Sequence, residues 1–110
     1  MNTVLPQPIT EYLAAHQVHD AGRTLPLFAP DAVVADDGHT YRGHAEIRGW
    51  LGRAASEFTF TTTLLDTEQV DDDHYVTTHH LEGDFPGGAV DLHFRFTLHA
   101  GLITHLVIEP

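Results

Sequence analysis

From Val90 to Leu98 the chain reads Val-Asp-Leu-His-Phe-Arg-Phe-Thr-Leu, apolar and polar side chains alternating without a break. A period of two marks a strand with one face in a core and the other in water. Such a strand needs neighbours for its backbone hydrogen bonds and a layer to cover its apolar face. The neighbours can be read around it. Phe58–Leu65 is rich in β-formers, Tyr75–Gly83 makes a second long strand, and Ile103–Ile108 closes the sheet. Asp71-Asp72-Asp73, Phe85-Pro86-Gly87-Gly88 and Ala100-Gly101 supply the turns.

The covering layer must come from the front half. Pro8–Asp20 reads as a helix, with Pro8 in the first turn, Glu11 toward the positive end of the dipole and Gly22 to stop it. Ile9, Tyr12, Leu13, His16 and Gln17 form its inner face. Thr24–Phe28 is a second short helix ended by Pro30. Asp31–Asp36 is then a strand, Asp37-Gly38 a hairpin turn, and Thr40–Arg42 the return strand. Gly43 opens a third helix, in which Ile47, Trp50, Leu51 and Ala54 recur at helical spacing. Helices first and long strands after predict an α+β fold: a cone-shaped, curved antiparallel sheet wrapped around the N-terminal helices, with an internal pocket. Residues 1–110 suit a single domain with one core, and 42% apolar residues are enough to pack it.

Charge narrows the partners. Sixteen acids face five bases, all arginine, for a formal net charge of −11. That surface repels phosphate backbones and anionic lipid, so neither nucleic acid nor membrane is an expected partner. The chain has no cysteine, which removes thiolate nucleophiles, disulfides and cysteine zinc sites. No apolar run is long enough to span a bilayer, and no basic leader precedes Leu5, so the expected location is the cytoplasm.

Four stretches resemble a known family. Leu27-Phe-Ala-Pro-Asp-Ala-Val-Val-Ala-Asp36 and Tyr41-Arg-Gly-His-Ala-Glu-Ile-Arg-Gly-Trp50 look like the front half of nuclear transport factor 2-like proteins, in particular their SnoaL-like group of ketosteroid isomerase and polyketide cyclase relatives. Gly83-Asp-Phe-Pro-Gly87 with Val90–Leu98 resembles the back half. The resemblance implies the cone fold and a family of isomerases, dehydratases, cyclases, epoxide hydrolases and plain binders. Matched to the ketosteroid isomerases, Leu27-Phe-Ala-x-Asp-Ala places Asp36 at the general base and Tyr12 at the oxyanion tyrosine. His93-Phe-Arg-Phe96 places Leu92 where those enzymes carry a second, protonated aspartate; leucine cannot donate a hydrogen bond, so that oxyanion hole is incomplete. The same register turns His79 inward and puts Trp50 on the pocket wall.

The residues themselves leave alternatives open. Asp36 suits a solvated turn-capping carboxylate, or a base whose pKa is raised by walls such as Phe28, Trp50 and Phe94. Tyr12 suits an ordinary amphipathic helix, or a donor to a developing oxyanion. His79 and Thr77 alternate on one strand face with Tyr75 and Leu81, and His16 lies one helical turn from Tyr12. His79 suits a satisfied core histidine or an acid–base partner. No metal is expected. His79 and His80 point to opposite faces, His16-x-x-His19 lacks a third ligand at motif spacing, and Asp71-Asp72-Asp73-His74 lacks the glycine and glutamate of a calcium loop.

The expected function is a cofactor-independent acid–base enzyme, an isomerase, cyclase or dehydratase of an apolar carbonyl compound. Asp36, Tyr12 and His79 are its catalytic candidates; His16, Phe28, Trp50, Tyr75, Thr77, Leu92 and Phe94 are its substrate-binding ones. The alternatives are a non-catalytic binder or accessory dimeric protein of the same fold, and an epoxide hydrolase. Asp91, His93, Arg95, Thr97 and His99 form the outer face of their strand, expected to pair two subunits and to part on acidification as His93, His99 and His105 of the seam charge.

Overall fold

The structure, a computed structural model, describes residues 5–17, 20–36, 38–57 and 60–110. Helix α1 (Gln7–Gln17) buries Ile9, Tyr12 and Ala15 completely, a stripe of residues three apart. Its first turn holds no acid. Glu11 instead accepts a 2.6 Å bond from Arg23 Nη2, tying α1 to the short helix α2 (Ala21–Thr24). The helix expected at Thr24–Phe28 is therefore shorter and earlier, and a 3-10 turn (Leu25–Leu27) follows it. Strand β1 (Phe28–Asp36) already begins at Phe28. It accommodates Pro30 because the register to its neighbour is irregular between Phe28 and Val33.

Strand β2 (His39–Arg42) returns antiparallel to β1 through Gly38, whose φ is 76°. Asp37, the other half of the expected turn pair, lies outside the described residues, as do His19 and Phe58. Gly43, at φ 77°, starts helix α3 (Gly43–Glu57). The side chain of His44 then donates from Nε2 to the Phe28 carbonyl at 2.9 Å, pinning the start of α3 to the start of β1. Ile47, Trp50 and Leu51 are buried as their spacing requires; the side chain of Ala54 is outside the described set.

Strands β3 (Phe60–Gln69), β4 (His74–Gly83), β5 (Ala89–His99) and β6 (Leu102–Glu109) complete a sheet of order β2-β1-β6-β5-β4-β3. Its ladders are antiparallel except one: β1 runs parallel to β6. The sheet is thus mixed, where an antiparallel one was expected. Parallel neighbours need a long crossover, and everything from β2 to β5 serves as it here. The meander starts at the far edge and steps back until β6 lies along β1.

Burial follows the pleat. Tyr75, Thr77, His79 and Leu81 are buried on β4 while Val76, Thr78 and His80 between them are not. Phe94 and Phe96 of β5 face the same way, as do Leu106 and Ile108 of β6. With Ile9 and Tyr12 of α1, Ile47 and Trp50 of α3, and Phe28, Ala32 and Val34 of β1 they form one core. Each such large apolar side chain contributes about 1.5–3 kcal/mol. Among the described residues no helix is long and apolar enough to cross a membrane.

Candidate functional site

Tyr12 is the centre of the covered face. Its ring stacks on His16 of the next helical turn at 5.6 Å, meets Phe28 and Phe96 edge-on at 5.9 and 5.4 Å, and lies 6.4 Å from Phe94. Edge-to-face rings hold the phenol rigidly. Its hydroxyl is sealed from solvent yet has no hydrogen-bond partner among the described residues. Burial, and then the negative charge of Asp36, push the phenol pKa well above its ordinary value. At any physiological pH Tyr12 is therefore an O–H donor, and the Asp36 carboxylate is near enough to be felt.

Asp36 ends β1, where the strand leaves the core and the carboxylate is half-buried. Trp50 Nε1–H donates to its Oδ2 at 3.0 Å. The indole is itself flanked by Tyr41 of β2 at 6.1 Å, over whose ring the Arg53 guanidinium sits at 5.3 Å. An indole donor on one oxygen fixes the plane of the carboxylate, so Trp50 aims the group as well as walling it.

His79 comes from β4, with its imidazole buried and its ring 4.7 Å from Phe94. Nε2 shares a 2.9 Å hydrogen bond with the Thr77 hydroxyl, while Nδ1 is buried and has no partner among the described residues. Burial alone lowers its pKa to about 4. At neutral pH His79 is an uncharged imidazole, able to hydrogen-bond or accept a proton but not to act as a standing acid.

Phe94 joins these groups, touching the rings of Tyr12, His16 and His79 at once. Ring contacts thus link Tyr12, His16, Phe28, Phe94 and His79, with Thr77 bonded to His79, and with Asp36, held by Trp50, close enough to act on the Tyr12 phenol. Leu92 lies directly across the β4–β5 ladder from His79, half-buried against the core. Tyr75 shares the inward face of β4 but sits farther along it, opposite Phe96. Phe96, Tyr41 and Phe60, whose ring lies 6.3 Å from His16, also belong to the surroundings and were not singled out from sequence. The alternation of Phe94 with Phe96 was a visible signal for the first; a four-residue strand gave none for Tyr41.

His80 lies elsewhere. It points outward, its ring nitrogens against Asp91 at 2.6 Å and Glu82 at 2.9 Å, and these carboxylates raise its pKa. On this face a proton on His80 meets acids, which opposes the build-up of like charge expected on acidification. Asp71 accepts the backbone N–H groups of Asp73 and His74 at 2.9 Å each, the geometry of a turn. Among the described residues no three histidine or acidic side chains converge as a metal-ligand set.

Comparison with known proteins identifies the fold and the family. The model of the SnoaL-like domain family matches residues 9–106. A provisionally assigned polyketide cyclase from Sinorhizobium meliloti is 32% identical, with a TM-score of 0.89 over 96% of this chain and 95% of its own. The Δ5-3-ketosteroid isomerase of a Mycobacterium species shares 24% identity and a TM-score of 0.75 over 94% of this chain and 89% of its own. A Mycobacterium tuberculosis protein in complex with estradiol-17beta-hemisuccinate shares 22% and 0.77 over 94% and 90%. No curated protein matches. Model and structures cover nearly the whole chain, and the protein belongs to the SnoaL-like domain family.

Proposed function

We propose that the protein is a cofactor-independent enzyme that moves a proton on an apolar, carbonyl-bearing small molecule, as an isomerase, cyclase or dehydratase does. One observation carries the reading: a phenol hydroxyl held in the core with no hydrogen-bond partner among the described residues, near a carboxylate that an indole N–H holds. In the proposed step Asp36 takes a proton from the carbon next to the substrate carbonyl. The electron pair moves onto the carbonyl oxygen, where the Tyr12 O–H stabilises the enolate. The carboxylic acid formed at Asp36 then returns the proton to a second carbon, or passes it to a departing hydroxyl, which leaves as water. His79, uncharged, hydrogen-bonds a further polar group of the substrate or relays the proton. Phe28, Trp50, Leu92 and Phe94 supply the apolar wall. The steroid ester bound by the mycobacterial relative is in keeping with a small apolar ligand. A homodimer through the outer sheet face and a cytoplasmic location complete the proposal.

The test uses β-tetralone, a compact apolar ketone with acidic carbon-bound protons, and follows deuterium uptake from heavy water by NMR. The wild type should exchange the protons at least about a hundredfold above background. Asp36→Asn should return exchange to background with an unchanged melting temperature. Background exchange by the wild type, or undiminished exchange by Asp36→Asn, contradicts the mechanism.

A further inference from the structure

Among the described residues few polar side chains are buried in this core, and some of their hydrogen bonds are plain. Thr24, for instance, donates its hydroxyl to the Asp20 carbonyl at 2.7 Å. The Thr77–His79 pair is different. The Thr77 hydroxyl has one side-chain hydrogen bond, to His79 Nε2, and both residues are buried. An imidazole kept uncharged by burial carries one proton, on Nδ1 or on Nε2. With the proton on Nε2, the ring donates to the threonine oxygen; the threonine O–H is then left without an acceptor and Nδ1 without a donor. With the proton on Nδ1, the threonine O–H donates to Nε2, and only the Nδ1–H is left over. Stranded buried groups are costly, so the second arrangement is favoured.

We infer that Thr77 fixes His79 with its proton on Nδ1, so that the site meets its ligand with two buried donors, the Tyr12 O–H and the His79 Nδ1–H. Neither finds an acceptor among the described residues. The ring of Phe94 neighbours both, 6.4 Å from that of Tyr12 and 4.7 Å from that of His79. A ligand that satisfies both donors carries two acceptor oxygens on one apolar ring frame that packs against Phe94. A monoketone leaves one donor stranded. Thr77 touches no ligand in this account; it is a positioning residue acting through His79. The inference shares the location of the proposed active site but needs no proton transfer to Asp36.

Two measurements test it. Long-range nitrogen–proton NMR on the uniformly labelled wild type reads the tautomer of His79 directly. The Nδ1–H form should dominate in the wild type and in Thr77→Ser, and give way to a mixture in Thr77→Val. Calorimetric titration then compares naphthoquinone, with two carbonyl oxygens, against β-tetralone, with one. The chain has neither cysteine nor lysine, so quinone binding is not masked by adducts with those side chains. Naphthoquinone should bind on the order of tenfold more tightly, and His79→Leu should erase the difference. Asp36→Asn should keep the preference even where it abolishes exchange, which separates this inference from the proposed chemistry. An Nε2–H tautomer in the wild type, equal affinity for the two probes, or binding of neither overturns it.

Discussion

Replacing Tyr12 by phenylalanine should make the ligand-free protein more stable and less useful. The substitution removes one oxygen and leaves the ring contacts with Phe28, Phe94 and Phe96 in place. That oxygen is buried without a partner among the described residues. A polar group in this position costs about 1–3 kcal/mol, whereas a hydrogen bond already made contributes about 1 kcal/mol in the opposite sense. The sign of the change therefore distinguishes a hydroxyl kept for a ligand from one satisfied within the protein. A gain of about 1 kcal/mol raises the melting temperature of a domain this size by about 4 °C. Thermal unfolding followed by circular dichroism, with urea titration for the free energy, measures it. Over the same substitution, deuterium exchange into β-tetralone should fall about a hundredfold or more as the oxyanion donor is lost. A melting temperature lowered by several degrees would refute the reasoning, because it would mean the hydroxyl already has a partner. The trade is the usual one between stability and function at a site.

Other consequences follow from the same contacts. Trp50→Phe keeps an aromatic wall but removes the 3.0 Å bond to Asp36, so the exchange rate should drop about tenfold with little change in KM; an unchanged rate would deny Trp50 its aiming role. His79 titrates near 4 when folded, below its unfolded value, so the unfolded chain takes up the proton first. Its contribution is complete above about pH 6.5 and is lost as the pH falls toward 4. Between about pH 7.5 and pH 5 the wild type should lose about 2 kcal/mol that His79→Leu does not lose, as read by urea unfolding at the two pH values; parallel losses would contradict the assignment. His80 runs the other way, since Asp91 and Glu82 raise its pKa: its contribution is complete below its unfolded value and disappears as the pH rises through the folded one. His80→Gln should therefore cost stability at about pH 5.5 and nothing at about pH 9. Sedimentation at about pH 8 should give a dimer, and a monomer at that pH would remove the outer face as a seam.

The strands were the most legible part of the chain because their signal is local. Alternation from Val90 to Leu98 fixes which side chains turn inward, and β4 obeys the same rule, so His79 faces inward and His80 outward as expected. The parallel pairing of β1 with β6 was not legible: no local pattern says which distant strand an edge will join. Pro30 misled for a related reason. A proline stops a helix by its missing N–H, but at an irregular point of a ladder a strand tolerates it. For the proposed site, family likeness pointed to Tyr12 and Asp36, and helical spacing put His16 beside Tyr12, where the two rings stack. The bond from Trp50 to Asp36 depends on how α3 settles on β1, and the Thr77–His79 bond on two side chains leaning toward each other along one strand. Leu92, read from sequence as a lost donor, lies across the ladder from an imidazole that can supply one.

The most direct measurement is a crystal structure with naphthol bound, a planar apolar ring carrying one oxygen of enolate-like character. The account predicts the naphthol oxygen within hydrogen-bonding distance of the Tyr12 hydroxyl, the Asp36 carboxylate beside it, and the ring against Phe94. Naphthol found only on the protein surface, with the Tyr12 hydroxyl still enclosed by side chains, would contradict it.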